Sequence, residues 1–421
     1  MSEWKTYKLG EIASVQTGPF GSQLHQSDYV QVGTPIITVE HLGENRIVHH
    51  NLPRVNDEDK NRLSKYWLRE DDIVFSRVGS VDRRAYVKKE EDGWLFSGRC
   101  LRVRPTNKVN GKYLSYFFGL EDFKSKIRAV AVGATMPSLN TSIMKNIEVI
   151  MPESLTTQTQ IAQILTSLDD KIELNLQMNQ TLEAMAQAIF KEWFVDFKFP
   201  GFDGVLVDGL PKGWKMGELG DIVEFINGYA FKSDDLLSKN EEECYHVFKM
   251  GHIKKGGGLK YDGTKSFYKK CNALKLKKYI LKTGDLLMCM TDMKDNVALL
   301  GHTALMNEDD KYIVNQRVGL IRPMNKISID YPYLYILTNY PEFITEIRSK
   351  ANRGVQVNLS TNEIKNMPIV IPPKLINEGY DNATKPIFNK VFSNIEQIQI
   401  LTQTRDALLP KLMSGKIEIK N

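Results

Sequence analysis

The sequence is poor in cysteine and lacks the spacing of a metal site. It has four cysteines and seven histidines among 421 residues. No two cysteines form a Cys-x-x-Cys pair, and no histidines complete a zinc spacing around them. The cysteines are Cys100, Cys244, Cys271 and Cys289. We therefore expect no metal site, and we expect Cys100 and Cys289, which lie in apolar strand-like runs, to be core residues.

Long apolar runs are also absent. No stretch approaches the roughly 18 consecutive apolar residues that a transmembrane helix needs. The first residues, Met-Ser-Glu-Trp-Lys, lack the basic-then-apolar pattern of a signal peptide. The sequence therefore predicts a cytoplasmic protein with no membrane segment.

Motifs for catalysis are missing as well. An amino-methyltransferase would carry Asn/Asp/Ser-Pro-Pro-Tyr/Phe, but the single Pro-Pro pair, Pro372-Pro373, is followed by Lys374. Gly-Lys occurs at Gly111 and at Gly415 without the Ser or Thr of a phosphate-binding loop. Glu-x-Lys triplets occur without any Pro-Asp dipeptide, so a nuclease motif is incomplete. We expect this chain to catalyse no reaction by itself.

The charge is nearly balanced. There are 56 basic and 51 acidic residues, which give a net charge of +5, and 42% of the residues are hydrophobic. This composition excludes wholesale disorder, and the length fits two or three domains. The densest basic stretch is 254–278, with nine lysines and the single acid Asp262. It has two interpretations that the sequence leaves open: a solvated surface, or a patch that contacts phosphate.

The two halves of the chain repeat each other, which is its strongest organisational signal. The opening Trp4-Lys5 with Leu9-Gly10-Glu11-Ile12 returns as Trp214-Lys215 with Leu219-Gly220-Asp221-Ile222. Gly18-Pro19-Phe20 matches Gly228-Tyr229-Ala230-Phe231, and Leu139–Ile147 matches Leu359–Met367. Ser97-Gly98-Arg99-Cys100 stands where the second copy has Asn315-Gln316-Arg317-Val318. Repeats this long indicate a duplicated domain.

Each copy is predicted to be α+β. Short β-branched runs separated by Gly, Pro and Asn turns predict strands. These runs are Ile36–Val39, Ile73–Phe75, Ile147–Ile150, Leu286–Met288 and Ile369–Ile371, and short helices are expected near Tyr113–Phe118 and Tyr333–Leu337. The predicted domains are residues 1–152 and 198–374.

A long helix is predicted after each copy, over residues 153–197 and 385–414, with a tail at 415–421. Apolar residues at alternating steps of three and four indicate heptads. The seam residues are Ile161, Leu165, Leu168, Ile172, Asn175, Asn179, Leu182, Ala186, Ile189 and Trp193, then Phe388, Val391, Ile395, Ile398, Thr402, Arg405, Leu409 and Leu412. Both seams are polar midway, which can fix register. We infer that the helices pair antiparallel as a coiled coil; the alternative is that each stripe packs on its own domain.

This order of two repeats and two long helices resembles the specificity subunit of a type I restriction-modification enzyme, over essentially the whole chain. The local matches are the Trp-x-x-x-x-Leu-Gly-Glu/Asp-Ile openings and the segments Gly228–Ser233, Asn315–Val318, Gln160–Ile172, Ala188–Phe197 and Arg405–Gly415. The resemblance implies two target-recognition domains, related by a pseudo-two-fold axis, that each read one half of a bipartite, asymmetric sequence in double-stranded DNA.

The resemblance also implies partners and cofactors. The helices would set the spacing and dock two modification subunits, which methylate adenine with S-adenosylmethionine, and restriction subunits would add ATP- and Mg-dependent activity. No cofactor is expected in this chain. Apolar residues outside the seams indicate the docking surface: Ile164, Leu174, Leu176, Met185, Phe190, Ile400, Leu401 and Leu408.

Polar side chains in the repeated loops are the predicted DNA contacts. In the first copy they are Ser22, Gln23, His25, Arg77, Ser80, Arg83, Arg84 and Arg99. In the second copy they are Lys232, Ser233, Lys249, Lys254, Lys255, Thr291, Asp292, Lys294, Gln316, Arg317 and Gln356. Each has two interpretations, a base contact or a contact with phosphate or solvent, because phosphate and sugar take half or more of such hydrogen bonds. For the loop aromatics Phe20, Tyr229 and Phe231, core packing is favoured over stacking on bases.

Two rival functions remain open from the sequence. One is a coiled-coil scaffold or interaction protein that does not bind DNA. The other is a self-contained nuclease. Neither accounts for the repeated order of domain and helix.

Overall fold

The structure, a computed structural model, describes residues 3–19, 21, 23–133, 135–241, 243–293, 297–324, 329–354 and 356–419. The chain divides into two compact units. Unit one comprises residues 1–175 and 397–421, and unit two comprises residues 176–396. Each long helix therefore contributes to both units.

Unit one contains nine strands and five short helices in the described residues. Its strands are Trp4–Lys8, Ala13–Thr17, Thr34–Ile37, Arg54–Val55, Ile73–Ser76, Arg84–Tyr86, Leu95–Phe96, Cys100–Pro105 and Glu148–Pro152. Its short helices are Leu9–Ile12, Asp57–Arg62, Gly111–Phe117, Glu121–Val130 and Thr141–Lys145.

Unit two repeats the order of the main strands, with additional short strands and with three short α-helices in the described residues. Its strands are Leu206–Val207, Leu210–Pro211, Lys215–Glu218, Val223–Asn227, Cys244–Phe248, Phe267–Lys269, Leu286–Cys289, Thr291–Met293, Thr303–Leu305, Tyr312–Val314, Val318–Pro323, Asn352–Arg353, Gln356–Asn358 and Pro368–Ile371. Its short helices are Tyr331–Asn339, Pro341–Ser349 and Thr361–Lys365.

The sheets of the two units have the same topology. Each unit has an antiparallel four-stranded sheet, in the orders 13–17, 100–105, 73–76, 84–86 and 223–227, 318–323, 286–289, 303–305. In both units the first strand of the copy pairs antiparallel with the last, Trp4–Lys8 with Glu148–Pro152 and Lys215–Glu218 with Pro368–Ile371. The predicted duplication and the predicted α+β class are confirmed.

The central strands Ile73–Ser76 and Leu286–Cys289 are buried on both faces. Side chains alternate across a strand. Ile73 and Phe75 accordingly pack into the core beneath the helices, whereas Val74 packs into a second core against a smaller sheet. Leu286 and Leu287 divide between two cores in the same way in unit two.

The first long helix is Leu155–Phe190 and continues as one π-helical turn, Lys191–Val195, close to the predicted 153–197. The second long helix is Lys374–Leu412, so the predicted start at 385 is wrong. Gly379 and Pro386 interrupt the helical pattern locally and cost about 1 and 3 kcal/mol in a helix interior. Tyr380 and Phe388 are buried beside them, at 0% and 1% exposure, and their packing outweighs that cost.

The second long helix ends at Leu412, two residues before the predicted end at 414. Gly415 has φ of +71°, and the backbone N–H of Gly415 donates to the carbonyl of Leu412. A Cβ at Gly415 would lie 2.8 Å from Nε1 of Trp4, so no larger residue fits there without movement. The tail is thereby packed against the first strand of unit one.

The long helices pair antiparallel within each unit. In unit one Arg405 donates to Asp169 at 2.8 Å, and Asn175 donates to Gln397 at 3.2 Å. Residue numbers thus rise along one helix as they fall along the other, which confirms the antiparallel pairing.

Unit two shows the same antiparallel order. Asn394 donates to Asn179 at 2.8 Å, and the Tyr380 hydroxyl lies 3.5 Å from the Ala186 carbonyl oxygen. Asn175 and Asn179 are therefore buried polar residues of the first seam. Their hydrogen-bond partners on the second helix are Gln397 and Asn394, which are not among the predicted seam residues.

Parts of the seams also pack on the domains, so both interpretations of the stripes hold in different places. Ile161 and Leu165 are in the core of unit one, with Leu412, and Leu409 packs against that core. Ile189 and Trp193 pack against the core of unit two. Within the described ranges, no helix is both long and apolar enough to cross a membrane.

Candidate nucleic-acid interface

Four chain segments of unit one converge at one end of the four-stranded sheet. The backbone N–H of Gly18 donates to the carbonyl of Cys100 at 3.2 Å. The N–H of Arg77 donates to Arg99 at 2.8 Å, and the N–H of Leu139 donates to Arg77 at 2.9 Å. We call this convergence of the Gly18, Arg77, Arg99 and Leu139 segments the unit-one loop cluster.

Unit two builds the same convergence from the equivalent residues. Gly228 donates to Val318 at 3.1 Å, Met290 donates to Arg317 at 3.2 Å, and Leu359 donates to Met290 at 2.9 Å. We call it the unit-two loop cluster. The backbone is the same in both clusters while the side chains differ, since Met290 stands where unit one has Arg77.

The repeated glycine of each cluster is required by close backbone approach. A Cβ at Gly18 would lie 2.2 Å from the carbonyl oxygen of Ser97, and one at Gly228 would lie 2.1 Å from that of Asn315. Any side chain would separate the two segments. The repeated glycine therefore marks the same junction between loops in each unit.

The structure leaves most of the predicted unit-one residues accessible. His25, Ser80 and Arg99 are exposed. Gln23 is half-buried and accepts a hydrogen bond from the Tyr66 hydroxyl at 2.7 Å, and Arg77 is half-buried and donates to the Gly98 carbonyl at 3.1 Å. Ser22 lies outside the described residues.

Arg84 is a correction, because it is buried at 4% exposure and cannot reach a DNA surface. Its Nε donates to the Ser115 carbonyl at 2.9 Å, and burial lowers the pKa of its guanidinium to about 10. The neighbouring Arg83 is exposed, but its Nε donates to the Leu42 carbonyl at 3.1 Å. Adjacent residues of an extended chain point in opposite directions, so the pair divides between interior and surface.

The predicted unit-two residues are mostly at the surface. The exposed ones are Lys232, Ser233, Lys254, Lys255, Gln316, Arg317 and Gln356, and the half-buried ones are Lys249 and Thr291. Thr291 donates to Asn358 at 2.8 Å, which ties it to the strand that carries Gln356. Lys294 lies outside the described residues.

Asp292 is a second correction, because it is 7% exposed. Its carboxylate accepts the backbone N–H groups of Leu299 at 2.6 Å, Leu300 at 3.1 Å and Met293 at 2.8 Å. These three hydrogen bonds occupy the carboxylate, which therefore has no free face for a base.

The loop aromatics of unit two pack on each other, as predicted. The ring centroids of Tyr229 and Phe231 are 5.0 Å apart, and those of Phe231 and Tyr268 are 4.8 Å apart. Both pack against a small core around Val247. Phe20 lies outside the described residues.

Two tyrosines were missed among the site residues. Tyr66 bonds the loop after Gly18 through Gln23, and the ring of Tyr279 lies 5.4 Å from that of Tyr229 in the loop after Gly228. The available signal was a further repeat, since both tyrosines follow a lysine within Leu-x-Lys-Tyr-x-Leu.

Two of the four cysteines lie in the interior of the protein. Cys100 and Cys289 are buried, as predicted, and burial raises the pKa of each thiol to about 12. Across the part of the chain that the structure describes, no group of three or more His, Cys, Asp or Glu side chains is placed to hold a metal ion. The exposed polar side chains of the two loop clusters are suited to binding.

Comparison with known proteins gives concordant matches. The family model described as type I restriction modification DNA specificity domain matches residues 1–184 and 211–408. The MjaIX specificity subunit of a type I restriction enzyme from Methanocaldococcus jannaschii is 28% identical, over 76% of this chain and 72% of that protein. The HindI specificity subunit from Haemophilus influenzae is 25% identical, over 99% and 100%.

A solved structure shares the fold. The S subunit of a type I restriction-modification system from M. genitalium matches with a TM-score of 0.61 at 15% identity, over 100% of this chain and 97% of that chain. At 15% identity the match shows a shared fold alone.

Proposed function

Because this chain belongs to the family of type I restriction-modification DNA specificity domains, we propose that each unit reads one half of a bipartite DNA sequence through its loop cluster. The observation that carries the proposal is the repeated junction at Gly18 and Gly228, which presents different side chains on one backbone arrangement. Different side chains at equivalent places imply two half-sites of different sequence.

The exposed side chains of the clusters suit base recognition. Arg99 and Arg317 can each donate two hydrogen bonds to the edge of guanine, and Gln316 and Gln356 can pair with adenine. The surrounding lysines suit phosphate, which supplies affinity without sequence information.

We further propose that the paired long helices set the spacing of the half-sites and dock two modification subunits. Apolar residues support docking, because Ile164, Leu174, Met185 and Ile400 are 37% to 54% exposed on the helices. Phe190 does not belong to this surface, since it is 2% exposed in the core of unit two.

In this proposal the chemistry belongs to other subunits. The modification subunits transfer the methyl group of S-adenosylmethionine to adenine, and restriction subunits use ATP and Mg. This chain supplies specificity and no catalysis, in line with the binding character of its exposed loops.

The direct test is a methylome. We expect that co-expression of this chain with its modification subunit, in a host without adenine methylation, places N6-methyladenine at one bipartite motif. The modification subunit expressed alone is the control and should leave that motif unmethylated. Methylation without sequence preference would contradict the proposal. Methylation of the same motif in the absence of this chain would also contradict it.

The spacing role predicts the effect of lengthening both helices. Inserting four residues after Leu176 and four after Glu396 adds roughly 6 Å to each helix, or one to two base pairs of DNA length. We expect the unread gap of the motif to lengthen accordingly while both half-sites stay the same, as read from the methylome. An unchanged gap in a folded variant would reject the spacing role.

A further inference from the structure

A short turn is repeated in both units, and in unit two it includes Lys278, the last residue of the basic stretch 254–278. Residues 63–68 read Leu-Ser-Lys-Tyr-Trp-Leu, and residues 276–281 read Leu-Lys-Lys-Tyr-Ile-Leu. Each forms a 3-10 turn, Ser64–Tyr66 in unit one and Lys277–Tyr279 in unit two. We call them the Lys-Tyr turns.

The lysine of each turn lies over the ring of the tyrosine that follows it. Nζ of Lys65 is 4.8 Å from the ring centroid of Tyr66, and Nζ of Lys278 is 4.9 Å from that of Tyr279. A cation over an aromatic face is attracted by about 0.5–1 kcal/mol at exposed sites. The same placement in both units means that the ammonium positions are part of the duplicated design.

Each tyrosine connects its lysine to a loop cluster. The Tyr66 hydroxyl donates to Gln23 in the loop after Gly18, and the ring of Tyr279 contacts that of Tyr229, the residue after Gly228. Each ammonium group therefore lies on a tyrosine that contacts the loop after the repeated glycine of its unit.

An ion pair between a buried carboxylate and a partly exposed arginine holds each turn in place. Arg104 is paired with Asp72 and donates to the carbonyl of Trp67 at 2.9 Å. In unit two Arg322 is paired with Asp285 and donates to the carbonyl of Ile280 at 2.9 Å. Both turns are thus fixed to the central sheet next to the lysine.

The two lysines carry charge that the protein does not neutralise. Lys65 and Lys278 are exposed, and within the described ranges neither forms an ion pair with an acidic side chain. In unit two the surplus is larger, because residues 263–284 include seven lysines and no acidic residue.

We propose that Lys65 and Lys278 each contact a backbone phosphate of the DNA beside the half-site read by their unit. This rests on the proposed function and adds a contact that is independent of base sequence. The tyrosine ring limits the freedom of the lysine, so less side-chain entropy is lost when it meets phosphate. In unit two the same contact makes the lysine-rich stretch a phosphate-binding surface.

The test is the salt dependence of DNA binding by this chain in complex with its modification subunits. The probes are one duplex that carries the motif found by the methylome and one in which both half-sites are scrambled. We expect Lys65→Ala and Lys278→Ala each to reduce the slope of log affinity against log salt by about 0.9 on both duplexes. When salt is raised from roughly 50 to 200 mM, the affinity of each variant should therefore fall by a factor about three times smaller than that of wild type.

Two controls separate this role from a structural one. Lys65→Arg and Lys278→Arg keep the charge and should keep the slope. Lys108→Ala removes an exposed lysine beyond the other end of the strand Cys100–Pro105 and should leave the slope unchanged. Wild-type slopes in both alanine variants, or a loss confined to the motif duplex, would overturn the inference. A wild-type complex that binds both duplexes alike would instead overturn the proposed function.

Discussion

Replacing Arg317 with alanine is expected to relax recognition at one half-site and to leave the other half unchanged. Arg317 is exposed, and its backbone carbonyl fixes it in the unit-two loop cluster. A bidentate contact to guanine is worth about 1–3 kcal/mol of discrimination, which is roughly 5- to 150-fold between bases. In the methylome of the variant, one position of one half-site should become degenerate.

Arg99→Ala is the mirrored experiment, because Arg99 occupies the equivalent place in unit one. It should relax the other half-site. Lys311→Ala is the matched control in unit two, since Lys311 is exposed and paired with Glu308 at 3.4 Å. Equal degeneracy in both half-sites of the Arg317 variant would contradict independent reading by the two units.

The fold was largely predictable because duplication makes each weak local signal appear twice. The run Ile73–Phe75 and its counterpart Leu286–Met288 predict strands, and both form the central strands of their sheets. The two glycines at 18 and 228 mark the same loop junction. The early start of the second long helix was not predictable, because Pro386 is a local signal and the burial of Phe388 that overrides it is tertiary.

The site residues were less predictable than the loops that carry them. Arg83 and Arg84 look equivalent in sequence, and only the strand at 84–86 decides which one is buried. Asp292 looks like a loop acceptor, yet three backbone N–H groups occupy it. Both errors concern the direction of one side chain, which depends on tertiary contacts that periodicity does not contain.

Replacing Asp285 with alanine is expected to destabilise unit two by about 3 kcal/mol. The Asp285 carboxylate is 4% exposed and accepts hydrogen bonds from Nε and Nη2 of Arg322, both at 2.7 Å. These hydrogen bonds raise the pKa of the Arg322 guanidinium. Removing one partner of a buried pair leaves the other charge uncompensated, at a cost of about 3–5 kcal/mol. The lower end applies because the Arg322 side chain is 23% exposed.

Thermal unfolding with hydrogen exchange over residues 278–281 measures this effect. Exchange should rise there, because Arg322 also donates to the carbonyls of Lys278 and Ile280. The control Asp262→Ala removes an acid whose side chain is 80% exposed and should change stability by less than about 0.5 kcal/mol.

The double variant Asp285→Ala with Arg322→Met decides whether the effect comes from the stranded charge. An apolar side chain of similar length leaves no buried cation, so the double variant should recover part of the stability that Asp285→Ala loses. The turn carbonyls lose their donor in the double variant and also in the single variant Arg322→Met, so the Lys-Tyr turn should stay loose in both even where stability returns. If the losses of the two single variants simply add in the double variant, the two side chains contribute independently through packing. The charge of Arg322 would then not hold the turn.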